Sequence, residues 1–434
     1  MIYAGLLLIS AATLVLEITL TRVLAVAQYH HFAFMVISIA MLGFGVSGTL
    51  LSVFPSLLRQ DAKFFLSLTG ATFCLSGVGG FVLVNAIPFD QFVILWDRRQ
   101  LLYLAIYYLS LAVPFTAGGL AVGFLLSKRA RDVGRLYFFT LAGAGVGCGL
   151  AVWLAPLGAP RVVVFASALG AGAALLFSLR SSMRLSGPMM LLAVASVGAL
   201  FSPSPLKISL TPYKDLPTLL RFPQTKVLST FWNAFSRIDV IEGPSVRYAP
   251  GLSYQFQDAL PQQLGITWDG DGLTVLTNYQ DGLHRVRFTD FLTSSLVYHL
   301  RPNPKVLVLG VGGGLDVLSA LYHGAESVTG VEMNPLLVDV LTNRYRHVAG
   351  ELFHRANVRL VVDEGRSYLR RSRERFDVIQ ISLLDSQTAA SAGTHSLSEN
   401  YIYTVEAFKD YIEHLTPDGA ISITRWLMLP PRDC

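Results

Sequence analysis

Seven apolar stretches fill the first 203 residues, at about 2–27, 32–54, 64–87, 101–126, 136–157, 161–179 and 187–203. Each approaches the ~20 residues that a helix needs to cross a hydrocarbon core. In lipid no water serves the backbone, so a lone apolar segment can satisfy its own polar groups only as a helix. The first run is too long, and too soon followed by others, to be a cleaved leader. The sequence therefore predicts a multi-span α-helical membrane domain over 1–203 with six or seven spans. The last run, GPMMLLAVASVGALFSP, is the shortest, opens on Gly187-Pro188 and closes on Ser202-Pro203. It is expected to stop short of a full crossing.

Basic residues fall unevenly between the runs. The even connections hold Arg59 and Lys63, then Lys128, Arg129, Arg131 and Arg135, then Arg180 and Arg184; the odd ones hold Arg98, Arg99 and Arg161. The positive-inside rule puts the even connections and the N-terminus in the cytoplasm. Six crossings would leave the rest of the chain inside, and seven would leave it outside. Glycines cluster within the runs, in MLGFGVSG (Gly43, Gly45, Gly48) and AGAGVGCG (Gly143, Gly145, Gly147, Gly149). Small residues at this spacing let helices approach closely.

Charged residues make up 15% of the chain, against about 25% in soluble proteins. The deficit lies almost wholly before Ser204, so the two halves are built for different solvents. A net charge of +5 is accounted for by orientation signals and implies no nucleic-acid partner. Cys74, Cys148 and Cys434 have no spacing that suits a disulfide framework or zinc. His30 and His31 read as loop residues, and no metal is expected.

Residues 204–235 are rich in Pro, Lys and Thr and read as a linker. Residues 236–300 hold short alternating segments, SRIDVIEG, GITWDG and LTVLTN, closed by turn formers, as in a small β unit. A helix is expected over FTDFLTSSLVYHL, before the stop RPNPK. From 301 to 434 strands alternate with helices. Strands are expected at 306–309, 327–332, 357–362, 376–382 and 419–425, and helices at 315–323, 335–346, 365–374 and 404–415. This order predicts a parallel, doubly wound, Rossmann-like methyltransferase-type sheet.

Gly310, Gly312 and Gly314 follow the first of these strands as G-x-G-x-G. Glu332 ends the second strand, where an acid can accept hydrogen bonds from both ribose hydroxyls. Leu315 breaks the dinucleotide pattern G-x-G-x-x-G, and no Lys-Ser/Thr pair makes a P-loop. The arrangement suits an adenosyl-sulfonium ligand. Glu364 and Gly365, after the third strand, stand where an adenine would lie.

The segments HLRPNPKVLVLGVGGGLDVL, GVEMNP, VVDEGRSYLRR, RFDVIQISLLDS and YTVEAFKDYIEHLTPDGAISI together resemble the spermidine synthase (polyamine aminopropyltransferase) family over about 236–425. The apolar half, with LVLEITLTRVL and GRLYFFTLAGAGVG, is similar to bacterial membrane proteins carrying a fused spermidine-synthase-like domain. The resemblance implies that Gly310, Gly312 and Gly314 form the cofactor loop, that Glu332 holds the ribose, and that Glu364 and Gly365 meet the adenine. It also implies a multi-pass protein of the bacterial inner membrane. Two further strands beyond residue 425 belong to such a sheet, so the chain is expected to be C-terminally incomplete.

The departures concern the acceptor side. Gly313 stands where the family has an Asp that binds the cofactor amine, and the nearest acid is Asp316. Ser382 stands at the family's catalytic Asp, while the second acid of that motif survives as Asp385. Three readings stay open. The first is an aminopropyl transferase using decarboxylated S-adenosylmethionine and a small amine or polyamine. The second is a methyltransferase using S-adenosylmethionine on another acceptor. The third is a non-catalytic polyamine or nucleoside sensor or transport protein. The expected partners are that acceptor and the lipid bilayer, with the soluble half cytoplasmic, and a homo-oligomer is compatible with all three readings.

Overall fold

The computed structural model describes residues 1–29, 31–179, 183–202, 206–279, 282–384 and 401–426. They divide into two compact units, Met1–Thr211 with Trp232–Ala234, and Pro212–Phe231 with the chain from Phe235 onward.

The first unit is helical: α1 (Ile2–Ala27), α2 (His31–Val53), α3 (Ala62–Ala86), α4 (Arg99–Lys128), α5 (Val133–Leu154), α6 (Ala159–Ser178) and α7 (Met183–Phe201). All seven are long and apolar enough to cross a membrane. His31 therefore belongs to α2, and His30 lies outside the described residues. Asp61 starts α3 by accepting a hydrogen bond from the Phe64 N–H at 2.9 Å. α1 is the central helix, with Leu6, Ile9, Val15, Leu16 and Leu24 fully buried. Gly143 and Gly147 of α5 face the backbone of Leu7 and Ala11 so closely that a Cβ would overlap their carbonyl oxygens. Gly45, Gly48, Gly145 and Gly149 meet nothing within 4 Å. Only part of each glycine cluster therefore serves helix packing.

α7 differs from the expectation for 187–203. It begins four residues before Gly187 and runs unbroken through Pro188 to Phe201. Pro188 lies near the helix start, where it removes a single backbone hydrogen bond. The helix is thus longer than the Gly-Pro signal suggests. None of its described residues is buried, and Met190, Leu191, Val194, Val197 and Phe201 are exposed.

The second unit begins inside the segment expected as a linker. Residues 212–231 carry a short helix, α8 (Asp215–Leu219), and strand β1 (Lys226–Trp232). Lys214 is buried, with its Nζ donating to the Asp269 carbonyl at 2.7 Å. Asp215 accepts from the Leu273 N–H at 2.9 Å. These bonds fix the segment to the turn between two later strands. β1 is the edge of a four-stranded sheet with β2 (Arg237–Glu242), β3 (Gln263–Trp268) and β4 (Asp271–Thr277), in the order β1-β2-β3-β4.

The helix expected over FTDFLTSSLVYHL is mostly a series of 3-10 turns, at 283–291 and 293–295, with α9 only at Leu296–Leu300. Thr289 Oγ1 donates to the Val286 carbonyl at 2.8 Å, and Ser295 Oγ donates to the Thr289 carbonyl. Such short side chains compete with helical bonding for the same carbonyls.

The remaining elements are β5 (Lys305–Leu309), α10 (Leu315–Tyr322), β6 (Ser327–Glu332), α11 (Pro335–Asp339), α12 (Arg346–Ala349), β7 (Val358–Val362), α13 (Gly365–Arg371), β8 (Phe376–Ser382), α14 (Val405–Glu413) and β9 (Leu415–Thr424). A π turn at 340–344 divides what was expected as one helix over 335–346. The five strands are parallel in the order β7-β6-β5-β8-β9. Val306, Leu307, Val308 and Leu309 are all buried, as a central parallel strand covered on both faces requires. The strand order reverses between β5 and β8. In sheets of this kind the crevice for a ligand opens at the carboxyl ends of the strands flanking that reversal.

Candidate functional site

The carboxyl end of β5 leads into the glycine loop. Gly310, Gly312 and Gly314 have φ of +78°, +54° and +94°, a backbone that only glycine adopts without strain. Gly314 is the N-cap of α10. The Gly310 N–H donates to the Val331 carbonyl at 2.9 Å, which ties the loop to β6.

Gly313 answers the question raised by the missing family Asp. A Cβ at this position would overlap the Val275 carbonyl of β4, and the Gly313 N–H donates to Thr274 Oγ1 at 2.9 Å. β4 fills the space that a side chain at 313 would need. No acid can stand there while β4 keeps its path.

Glu332 lies where the sequence puts it, beside the loop, and is 6% exposed. Its Oε2 accepts from the Gly312 N–H at 3.4 Å and its Oε1 from the Asn334 N–H at 2.9 Å. Burial pushes its carboxyl above the usual range, against hydrogen bonds from the N–H groups of Asn334, Gly312, Met333 and Val311. Glu364 and Gly365 follow β7, and the Asp363 N–H donates to the Glu332 carbonyl at 3.1 Å. Glu364 is the N-cap of α13, accepting from the N–H groups of Arg366 at 3.0 Å and Ser367 at 2.7 Å. Burial alone would raise its carboxyl, but these bonds, the Ser367 hydroxyl and the Arg366 charge hold it below the usual range. Gly365 rests on the Leu309 side chain, where a Cβ would make ordinary contact.

At the end of β8 the structure brings together two residues that sequence spacing does not connect. Asp316, in the first turn of α10, is 8% exposed and lies beside the Ser382 hydroxyl and the Gln380 amide. Burial raises its carboxyl from 3.8 to about 6, against the lowering effect of those two polar groups. Gln380 Nε2 also donates to Ser382 Oγ at 2.8 Å.

Sequence reasoning missed Gln380 and two tyrosines. Gln380 is fully buried, and its Oε1 has no hydrogen-bond partner among the described residues. The Tyr298 hydroxyl is likewise buried without one. Burial, and then the Asp316 charge, push the Tyr298 phenol up. Burial, and then the Asp215 and Asp316 charges, do the same to Tyr248. A glutamine in the apolar strand FDVIQIS was the one legible signal. Leu383, next to Ser382, has φ of +54°, and Leu384 covers Gly310. Asp385 lies outside the described residues.

The cluster is suited to cationic chemistry. A half-buried hydroxyl and a buried carboxyl poised near neutrality can hold an ammonium or take its proton, beside a loop and acid suited to a nucleoside.

Residues 290–425 match the sequence profile of the spermine/spermidine synthase domain. Among curated proteins, the polyamine aminopropyltransferase of Korarchaeum cryptofilum is 28% identical over 123 residues, covering 28% of this chain and 35% of that protein. That of Thermotoga petrophila is 25% identical over 188 residues, covering 43% and 53%. The chain thus spans about a third to a half of the length of these relatives. Among solved structures, spermidine synthase from Thermotoga maritima has a TM-score of 0.31 and 21% identity, covering 46% of this chain and 55% of that one.

Proposed function

With residues 290–425 carrying a spermine/spermidine synthase domain, we propose that the second unit is a transferase of the aminopropyl type. Its donor is decarboxylated S-adenosylmethionine and its acceptor a small amine or polyamine. Glu332 receives the ribose hydroxyls, exchanging loop N–H donors for them. The glycine loop takes the sugar and sulfonium, and Glu364 with Gly365 borders the adenine. The acceptor amine must be neutral to attack. It forms a bond to the carbon next to the sulfonium, the carbon–sulfur bond breaks, and neutral methylthioadenosine leaves.

The observation that carries this reading is the placement of the buried Asp316 carboxyl beside the Ser382 hydroxyl. Ser382 cannot take an ammonium proton, but the carboxylate beside it can. An acid is thus present at the end of β8 although the residue at the family's position is a serine.

The test is incubation of the full chain with decarboxylated S-adenosylmethionine and putrescine or spermidine, followed by mass spectrometry. An aminopropylated amine with one equivalent of methylthioadenosine supports the reading. No product, together with no adenosyl ligand bound in calorimetry, overturns it.

One observation favours a second reading. Val275 leaves no room for an acid at 313 to bind the cofactor amine, so this part of the aminopropyl donor's usual recognition is lost. Methyl transfer from S-adenosylmethionine relies mainly on alignment of donor and acceptor. A methylated product in the same assay selects it.

We further propose that the first unit lies in a membrane and that the second faces the cytoplasm, where these cofactors are made. Seven long apolar helices and the exposed apolar face of α7 support the membrane reading. Because α7 buries none of its described residues, it is the helix most easily laid along the interface, which leaves six crossings.

A further inference from the structure

We propose that Asp290, His299 and His323 form a binding site for one divalent transition-metal ion of the zinc class. They come from three neighbouring pieces of the second unit: the 3-10 turn at 283–291, α9, and the residue directly after α10. His323 Nε2 lies 3.0 Å from Asp290 Oδ1, and His299 Nε2 lies 3.2 Å from the same oxygen. All three ligand atoms are within 4.8 Å of one another. Around a tetrahedral ion with bonds of about 2.0–2.1 Å, ligand atoms stand about 3.3–3.4 Å apart. Both nitrogen–oxygen distances are already close to that spacing.

The hydrogen bonding of His323 points the same way. Its Nδ1 lies 2.8 Å from the Ser319 carbonyl. A carbonyl only accepts, so Nδ1 carries the hydrogen. In the neutral ring the Nε2 lone pair then faces the Asp290 carboxylate, which is repulsive unless a cation stands between them. That cation is a proton or a metal ion. An imidazole anchored by a carbonyl at one nitrogen and free to ligate at the other is the arrangement found at protein metal sites. Tyr298 stacks on the His323 ring at 5.3 Å and Tyr322 meets it edge-on at 5.2 Å. The ring is thereby fixed before any ion arrives.

Exposure of the set suits an ion reached from solvent. The His323 side chain is 8% exposed, Asp290 35% and His299 51%. Water can supply the remaining ligand on the outer side. Two imidazoles and one carboxylate favour zinc, nickel or copper over magnesium or calcium. The ion would join the turn at 283–291 and α9 to the far end of α10, the helix whose first turn carries Asp316.

The experiment uses the full chain, without a polyhistidine tag, stripped by a chelator and titrated with Co²⁺ as a visible-absorbing probe, then with Zn²⁺. The expected result is one Co²⁺ per chain, displaced by Zn²⁺. His299→Ala is the first variant, because its exposed ring can be removed with little harm to the fold. His323→Gln and Asp290→Asn follow, with folding checked by circular dichroism. Each should weaken Co²⁺ binding by at least the 10–100-fold that loss of a supporting partner costs at known sites. A parent chain that gives no stoichiometric absorption band overturns the proposal. So does a His299→Ala chain that binds Co²⁺ as tightly as the parent.

Discussion

The Asp316 carboxyl stands beside the Ser382 hydroxyl, so the first turn of α10 meets the last residue of β8. The acid and the hydroxyl belong to two strand–helix units that meet at the reversal of strand order. Each alone would be ordinary, a helix-start aspartate and a strand-end serine. Together they make a titratable group at the mouth of the crevice.

That group should cost stability. Burial raises the Asp316 carboxyl from 3.8 to about 6, so its protonated form favours the folded chain. The contribution is full below about pH 4 and is lost as pH rises to about 6. Asp316→Asn keeps the neutral form at all pH. It should therefore melt higher than the parent above pH 6, by roughly 2–3 kcal/mol, with the gap closing towards pH 4. Thermal melts at pH 4, 5 and 7.5 would test this, and a gap independent of pH would count against it.

The same substitution should lower transfer. Loss of a general base typically reduces rate by about 10²–10⁴. In the parent, activity should fall as pH drops through about 6, because the carboxylate must be ionised to take a proton. Initial rates of product formation against pH for both chains are the measurement.

Glu332→Ala should weaken binding of an adenosyl ligand by roughly 1.5–3 kcal/mol, the scale of a charged hydrogen bond. Calorimetry with methylthioadenosine reads this directly. Unchanged affinity would remove Glu332 from the ligand's contacts.

Gly313→Ala should destabilise the second unit by roughly 1–3 kcal/mol, as overpacking does, because its Cβ overlaps the Val275 carbonyl. Gly365→Ala should fold normally, since its Cβ meets only the Leu309 side chain at ordinary distance. Denaturant midpoints of the two variants give the comparison. Equal stability would mean that β4 yields easily.

Reporter fusions at Lys207 and Asp239 address sidedness. A reporter active only in the cytoplasm should give signal at both positions. Signal at both from a reporter active only outside would show that α7 crosses and would reverse the orientation proposed for the second unit.

The parallel sheet was legible because its signals are local. Apolar runs such as KVLVL end in glycine, and the next strand ends in an acid. Strand β1 was not legible. KVLSTFW sits in a stretch rich in Pro, Lys and Thr, and its residues alternate between exposed and half-buried, as an edge strand allows. The turns at 283–295 were lost to Thr and Ser bonds that apolar spacing does not reveal. In the site, Gly312 and Glu332 could be paired from spacing alone, since one βαβ unit sets their distance. Asp316 with Ser382, and Asp290 with His323, meet only after the sheet and its turns have formed.

Glu332 holds the Gly312 N–H of the loop with its own carboxylate, at 3.4 Å. Such groups, at the start of a helix, are what a phosphate would otherwise seek. A ribose can replace that N–H, because its hydroxyls donate to the carboxylate, whereas a phosphate only accepts and gives Glu332 nothing to hold.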